Sequence, residues 1–275
     1  MTEEALINME LYLTLESDNT LFHYTKISTL IEKILPNMEL LFSPFSRTND
    51  PYEYKKVQFN FTSESHIGVK HSKEEFDYIQ LLINDYWKNK FKVICFTKNV
   101  NEENIVNGYS KSRMWSQYGD DNKGVCLVFD KNELEKSVQD IYINEEEKIV
   151  TGSVYYQNEY GMRNSSRNVD ISNLNKYGPE RIAFNHLKNY YEELFLTKNS
   201  DYRDENEYRI IVMMQREIQL FLSITNSLKG IILGDNCSMG YYPIFKQFMK
   251  EKNIFVKKLF WSDWRPCILD LTEKV

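Results

Sequence analysis

A chain of 275 residues, 42% hydrophobic and 27% charged, carries enough apolar side chain for a large domain, and its balance excludes a disordered or fibrous protein. With 34 basic and 40 acidic side chains the net charge is −6, which speaks against holding nucleic acid through a basic stripe but leaves room for a small nucleotide. Cys95, Cys126, Cys237 and Cys267 are far apart with no CxxC, so neither a zinc site nor a disulfide framework is expected.

In chain order, residues 1–17 are amphipathic and read as an N-terminal helical extension. Leu21–Thr25 reads as a strand, and Ser28 as the cap of a helix carrying Leu30, Ile31, Ile34 and Leu35. Pro36-Asn37 closes that helix, and Glu39–Ser43 is a second strand. Arg47-Thr48-Asn49-Asp50-Pro51 is a turn by its chemistry. Helical spacing covers Glu74–Trp87. Strands follow at Val93–Thr97 and Val125–Phe129, with a polar loop over Asn99–Ser112 between them and a helix from Lys131 after them.

Ile149–Tyr155 is strand-like. Residues 158–178 are rich in Asn, Ser and Gly and read as a mobile loop. Pro179 suits the first turn of a helix that runs on to Leu196. Strands at Glu207–Met214, Ile218–Ser223 and Leu228–Leu233, a helix near Tyr241–Lys250, and strands at Phe255–Trp261 and Cys267–Leu271 complete the chain. The regular βαβ rhythm and the glycine-rich turn of a dinucleotide-binding fold are missing. The expectation is a single α+β domain over 1–275, with a mixed, largely antiparallel sheet and peripheral helices. No basic leader precedes an apolar stretch and no apolar run is long enough to span a bilayer, so a cytoplasmic location without membrane contact is expected.

Four segments could carry chemistry. Along the strand that begins near Asp204, alternation puts Glu205, Glu207 and Arg209 on one face, with Tyr208, Ile210 and Val212 on the other. Two carboxylates aimed into one space drive one pKa up and can bind sugar hydroxyls or stabilise a developing cation. The plainer alternative is a solvated face with Arg209 paired to a neighbour. On Leu21–Thr25, His23 and Thr25 share a face and could clamp a ribose diol, with Phe22 and Tyr24 opposite, or His23 is a satisfied structural histidine. The remaining histidines, His66, His71 and His186, read as surface residues. The turn Asn49-Asp50-Pro51-Tyr52-Glu53 offers an amide and two carboxylates, or is only a turn. Met114-Trp115-Ser116-Gln117-Tyr118-Gly119 could stack rings on a base, or plug one end of the core. There is no Walker A, GxSxG or HExxH motif and no metal-spaced histidine pair.

Taken in order, Phe22-His23-Tyr24-Thr25, Asn49-Asp50-Pro51-Tyr52-Glu53, Cys95-Phe96-Thr97, Met114–Tyr118 with Lys123-Gly124-Val125-Cys126, and Glu205–Arg209 resemble the uncharacterised bacterial DUF2971 proteins. An early His-x-Thr strand and a late Glu-x-Glu strand are also similar to the layout of ADP-ribosyltransferases. That resemblance implies NAD as substrate, with His23 and Thr25 on the adenosine ribose, Glu207 as the catalytic carboxylate and Glu205 positioning the acceptor. Tyr24, Arg209 and a stacking ring, Trp115 or Tyr118, would complete the NAD site; Asn49, Asp50, Glu53 and Ser116 remain further candidates. The acceptor would be a protein or nucleic acid, or water. Bacterial members of that superfamily are often toxins or anti-phage effectors, which implies a defence role with an antitoxin or phage-derived trigger as partner. Two other readings stand beside it: a metal-dependent nuclease or phosphohydrolase using Asp50, Glu53, Glu205 and Glu207, and a non-catalytic sensor of a nucleotide or phage protein.

Overall fold

The computed structural model describes residues 14–63, 71–101, 105–158, 164–252, 254–263 and 265–270. Its centre is a nine-stranded sheet: β1 (Thr20–Thr25), β2 (Ser43–Pro44), β3 (Lys92–Lys98), β4 (Val125–Asp130), β5 (Lys148–Ser153), β6 (Glu207–Met213), β7 (Leu228–Leu233), β8 (Phe255–Ser262) and β9 (Arg265–Asp270). The strands lie in the order β9-β8-β7-β4-β1-β3-β6-β5, with β2 added to β3. Every pairing in this sheet is antiparallel except β7 with β8. The fold is therefore mixed α/β with a mostly antiparallel sheet.

Both faces of the sheet are covered, which is why its central strands read as continuous apolar runs. On one face Leu21, Phe96, Leu127, Tyr208 and Ile210 pack against Leu30, Leu134 and Phe245. The opposite face carries two separate clusters. Val93, Ile211 and Met213 pack on the helices Lys73–Asp85 and Leu174–Asn189 through Ile79, Phe184 and Leu187. Phe22, Tyr24, Cys126 and Val128 pack on Trp115 and Met114. Each fully buried aliphatic or phenyl side chain contributes about 1.5–3 kcal/mol.

Local signals explain the helix boundaries. Ser72 and Glu75 form a reciprocal capping box on Lys73–Asp85, Asp130 caps Lys131–Gln139, and Asp50 caps the short helix Pro51–Tyr54. Ser28 is not a cap: the helix starts one residue earlier behind Lys26, and over Leu30–Ile34 it widens into a π-helix. A second π-helix, Tyr86–Lys90, follows Lys73–Asp85. Pro179 restarts a helix after a kink at Gly178, whose φ of +78° suits glycine alone.

Two expectations change. Residues 158–178 are not simply a loop: Asn164–Arg167 is helical, Asn168–Asp170 pairs in parallel with Asn60–Thr62, and Val169, Ile171 and Leu174 are buried. The short β pairing supplies the backbone partners that the polar composition concealed. His186 is a core residue, 6% exposed, with Nε2 2.8 Å from the Ser166 carbonyl. Of the N-terminal extension, Thr14–Glu16 is helical, while residues 1–13 lie outside the described residues, as does His66.

Candidate functional site

The site begins with a break in the sheet. β1 pairs with β3 only at Leu21↔Lys98 and Phe22↔Thr97, and β2 pairs with the same strand only at Ser43↔Val93 and Pro44↔Lys92. Between them, Ile94, Cys95 and Phe96 face no strand on that edge. A cavity of about 500 Å³ occupies the gap, within the size range of small-molecule sites. His23 bridges it, its Nδ1 2.9 Å from the Cys95 carbonyl. With Nδ1–H as donor to that carbonyl, Nε2 is left as an acceptor. Burial lowers the His23 pKa against the opposing effect of this bond, so the ring is neutral near pH 7.

The far wall of the cavity is a buried charge cluster. A 3₁₀ turn, Ser200–Glu205, leads into β6 through Asn206, which takes a left-handed φ of 44° and donates its Nδ2 to the Lys98 and Asn99 carbonyls. Asparagine tolerates that conformation better than most residues. The turn sets Glu205 and Glu207 on either side of Lys198, whose Nζ lies 2.7 Å from Glu205 Oε2 and 3.4 Å from Glu207 Oε2. Arg209 Nη2 donates to the same Glu207 oxygen at 2.8 Å, and it lies 2.5 Å from Glu53 Oε1 in an ion pair that lacks hydrogen-bond alignment. Its Nη1 donates to the Phe195 carbonyl. The Tyr118 hydroxyl donates to Glu205 Oε1 at 3.0 Å, and the Tyr156 hydroxyl accepts from the Glu207 N–H.

The two carboxyls titrate in opposite directions. For Glu205, burial dominates and pushes the pKa up in spite of Lys198. Burial pushes Glu207 up as well, but Arg209 and Lys198 together outweigh it and hold its carboxyl down at about 2. Burial would strip the Lys198 proton, yet Glu207, Glu53 and Glu205 more than restore it and hold the ammonium above its ordinary range. Two neighbouring carboxyls whose pKa values are pushed apart are the arrangement used for acid–base work.

His23, Thr25, Asn49, Glu53, Tyr118, Glu205 and Glu207 all line this cavity. The remaining candidates are placed differently. Trp115 is fully buried, with Nε1 donating 2.7 Å to the Tyr109 carbonyl, and Tyr24 packs edge-on against it while donating to the Gly108 carbonyl. Both rings are buried; Tyr24 also lines the cavity, whereas Trp115, a candidate stacking ring, lines neither described cavity. Ser116 is exposed and lines no described cavity. Arg209 is 1% exposed and holds Glu207 and Glu53 rather than facing the cavity.

Lys198, Cys95 and Thr97 also line the cavity. Lys198 had no sequence signal, since it lies in a polar stretch that becomes a strand only by pairing with Tyr155–Gln157. Asp50 lines a second cavity of about 330 Å³ behind Glu53 and Lys198, which are common to both. Among the described residues no group of three or more His, Cys, Asp or Glu side chains could hold a metal ion, and no helix is long and apolar enough to cross a membrane.

A family model described as a protein of unknown function, DUF2971, matches residues 114–210, from Met114 through the Glu205–Arg209 segment. No curated protein and no solved structure matches the chain.

Proposed function

We propose that this chain, matched over residues 114–210 by the DUF2971 model, is an ADP-ribosyltransferase-like enzyme that binds NAD in the cavity between β1 and β3. It breaks the nicotinamide–ribose bond and passes ADP-ribose to a macromolecule or to water. The observation that carries this reading is that His23, from an early strand, and Glu207, from a late one, line one cavity. Their side chains start from opposite faces of the sheet, and both line the cavity in the gap beside Cys95.

The chemistry follows from the residues. Heterolysis of the C–N bond sends the bonding pair out with nicotinamide and leaves an oxocarbenium-like carbon. An ionised Glu207, held by hydrogen bonds from Lys198 and Arg209 at Oε2, stabilises that carbon through its negative charge. Glu205, with its raised pKa, accepts the proton of the attacking acceptor or water, and Tyr118 and Lys198 orient it. His23 Nε2 and the Thr25 hydroxyl bind a ribose diol. A toxin or anti-phage role would follow from this activity.

The metal-dependent alternative has less support, because Lys198 stands between the carboxylates where a cation would have to sit. Titration calorimetry with NAD tests the binding half of the proposal. Saturable binding that His23→Ala weakens at least tenfold supports it, and no saturable binding by the wild type contradicts it.

A further inference from the structure

The first cavity does not stop at the sheet but passes through it. Its lining takes Ile34 and Leu40 from the core on one face, and Phe22 and Met114 from a cluster on the other. His23 alternates with Phe22 and so belongs to the first face, with Leu21. Glu207 alternates with Tyr208, which packs on that first face, and so belongs to the second.

The first face has its own mouth, built by a ribbon of two short strands. Glu39–Leu41 and Phe221–Ser223 pair in the register Phe221↔Leu41, Leu222↔Leu40 and Ser223↔Glu39. Leu40 and Leu222 are buried in the core, so Glu39, Leu41 and Phe221 project from the other side of the ribbon. All three line the cavity. Leu41 and Phe221 are opposed across the ribbon and remain 42% and 43% exposed. A phenyl ring in a cavity wall, beside an aliphatic side chain, offers a flat heteroaromatic ring a surface to stack on.

The charged side chains narrow the choice of ring. Lys33, from the π-helix Leu30–Ile34, and Arg47 are exposed lining cations with no ion-pair or side-chain hydrogen-bond partner among the described residues. Cations so placed suit a phosphate. Glu39 is the acidic residue of this mouth, and its carboxylate likewise has no such partner among the described residues. An ionised carboxylate only accepts hydrogen bonds, so it favours a base with an exocyclic amine over one with a carbonyl there. The other carboxylates of the cavity, Glu53, Glu205 and Glu207, are already paired with Lys198 and Arg209.

We infer that the Phe221–Leu41 ribbon is the base platform of the cavity: the adenine of an adenine nucleotide stacks on it, turns its 6-amine to Glu39, and sends its phosphate past Lys33 and Arg47. The assignment rests on the reading that this cavity takes NAD, and it gives that ligand a direction. Adenine lies on the first face with His23 and Thr25 at its ribose, and nicotinamide passes through the gap towards Glu207 on the second. Phe221, and no residue of the Trp115 loop, is then the ring that stacks on adenine.

The test is calorimetric titration of the full-length protein with AMP, IMP and NAD. Saturable AMP binding, weakened at least about fivefold in Phe221→Ala, is expected, the lower end of what removing a stacked ring costs. Phe221→Trp keeps a ring, so it should retain AMP binding and show a quenching of indole fluorescence by AMP that the wild type lacks. IMP, with a 6-carbonyl in place of the amine, should bind the wild type several times more weakly than AMP, and Glu39→Gln should narrow that difference. AMP and NAD bound equally well by the wild type and Phe221→Ala would overturn the inference and leave the NAD reading standing. AMP bound through Phe221 with no NAD binding would keep the platform and remove the NAD reading. No saturable AMP binding, or IMP bound as tightly as AMP, would also overturn the inference.

Discussion

His23 Nδ1 lies 2.9 Å from the Cys95 carbonyl and spans the place where the β1–β3 ladder stops. A side chain thus replaces a backbone hydrogen bond, and the strands part without leaving that carbonyl unpaired. Removing the imidazole should cost stability as well as ligand binding. His23→Ala is expected to lower unfolding free energy by about 1–3 kcal/mol, the cost of leaving a buried partner unsatisfied, read from urea denaturation.

The same histidine predicts a pH dependence with a definite sign. Its folded pKa is depressed, so the unfolded chain binds the extra proton first as pH falls. Stability from the neutral buried ring is full above about pH 6.5, the unfolded value, and declines below it. His186, also depressed by burial, adds to the same slope. Urea midpoints at pH 7.5 and 5.5 should fall further apart in the wild type than in a His23→Gln variant.

The Glu207–Arg209 pair is buried beyond the reach of solvent, and breaking it from one side strands a charge. Arg209→Met should destabilise the fold by about 3–5 kcal/mol, whereas Glu207→Leu combined with Arg209→Met should cost less than the two singles added. A double-mutant cycle in urea measures the coupling, and an additive result would show that the pair is not interacting.

Glu205 should control the acidic limb of any pH–rate profile, because its carboxyl must be ionised to accept a proton and burial has raised its pKa. Lys198 opposes that rise, so Lys198→Met should push the pKa higher and move the acidic limb to higher pH. A limb that stays in place would remove Glu205 from the role.

The aromatic loop separates into two kinds of residue. Trp115→Ala should cost about 3–5 kcal/mol as a core truncation, and Trp115→Phe should leave NAD affinity unchanged. Tyr118→Phe should leave stability nearly intact while it removes the hydrogen bond to Glu205, and it should change kcat more than KM.

Much of this architecture was legible in the residues. The β1, β3, β4, β6 and β7 runs are apolar enough to announce buried strands, and alternation correctly places Glu207 and Arg209 opposite Tyr208 and Ile210. Glu205 joins Glu207 by another route, a left-handed turn at Asn206 rather than strand alternation. Alternation also assigns Tyr24 and Trp115 no partner, since their contacts depend on how the Gly108 segment packs across β1. Lys198 was invisible because nothing local distinguishes a lysine that will be buried among three glutamates from one in solvent. The break between β1 and β2 along β3 is a property of three strands together, which no single segment encodes.

The most direct test of the central claim is nicotinamide release from NAD by purified wild type and Glu207→Gln, each with a cell lysate supplying protein and nucleic-acid acceptors. The account predicts release by the wild type and a loss of about 100-fold or more in the variant, the scale for removing a group that stabilises transition-state charge. Equal release by the two proteins, or no release together with no NAD binding by the wild type, would contradict it.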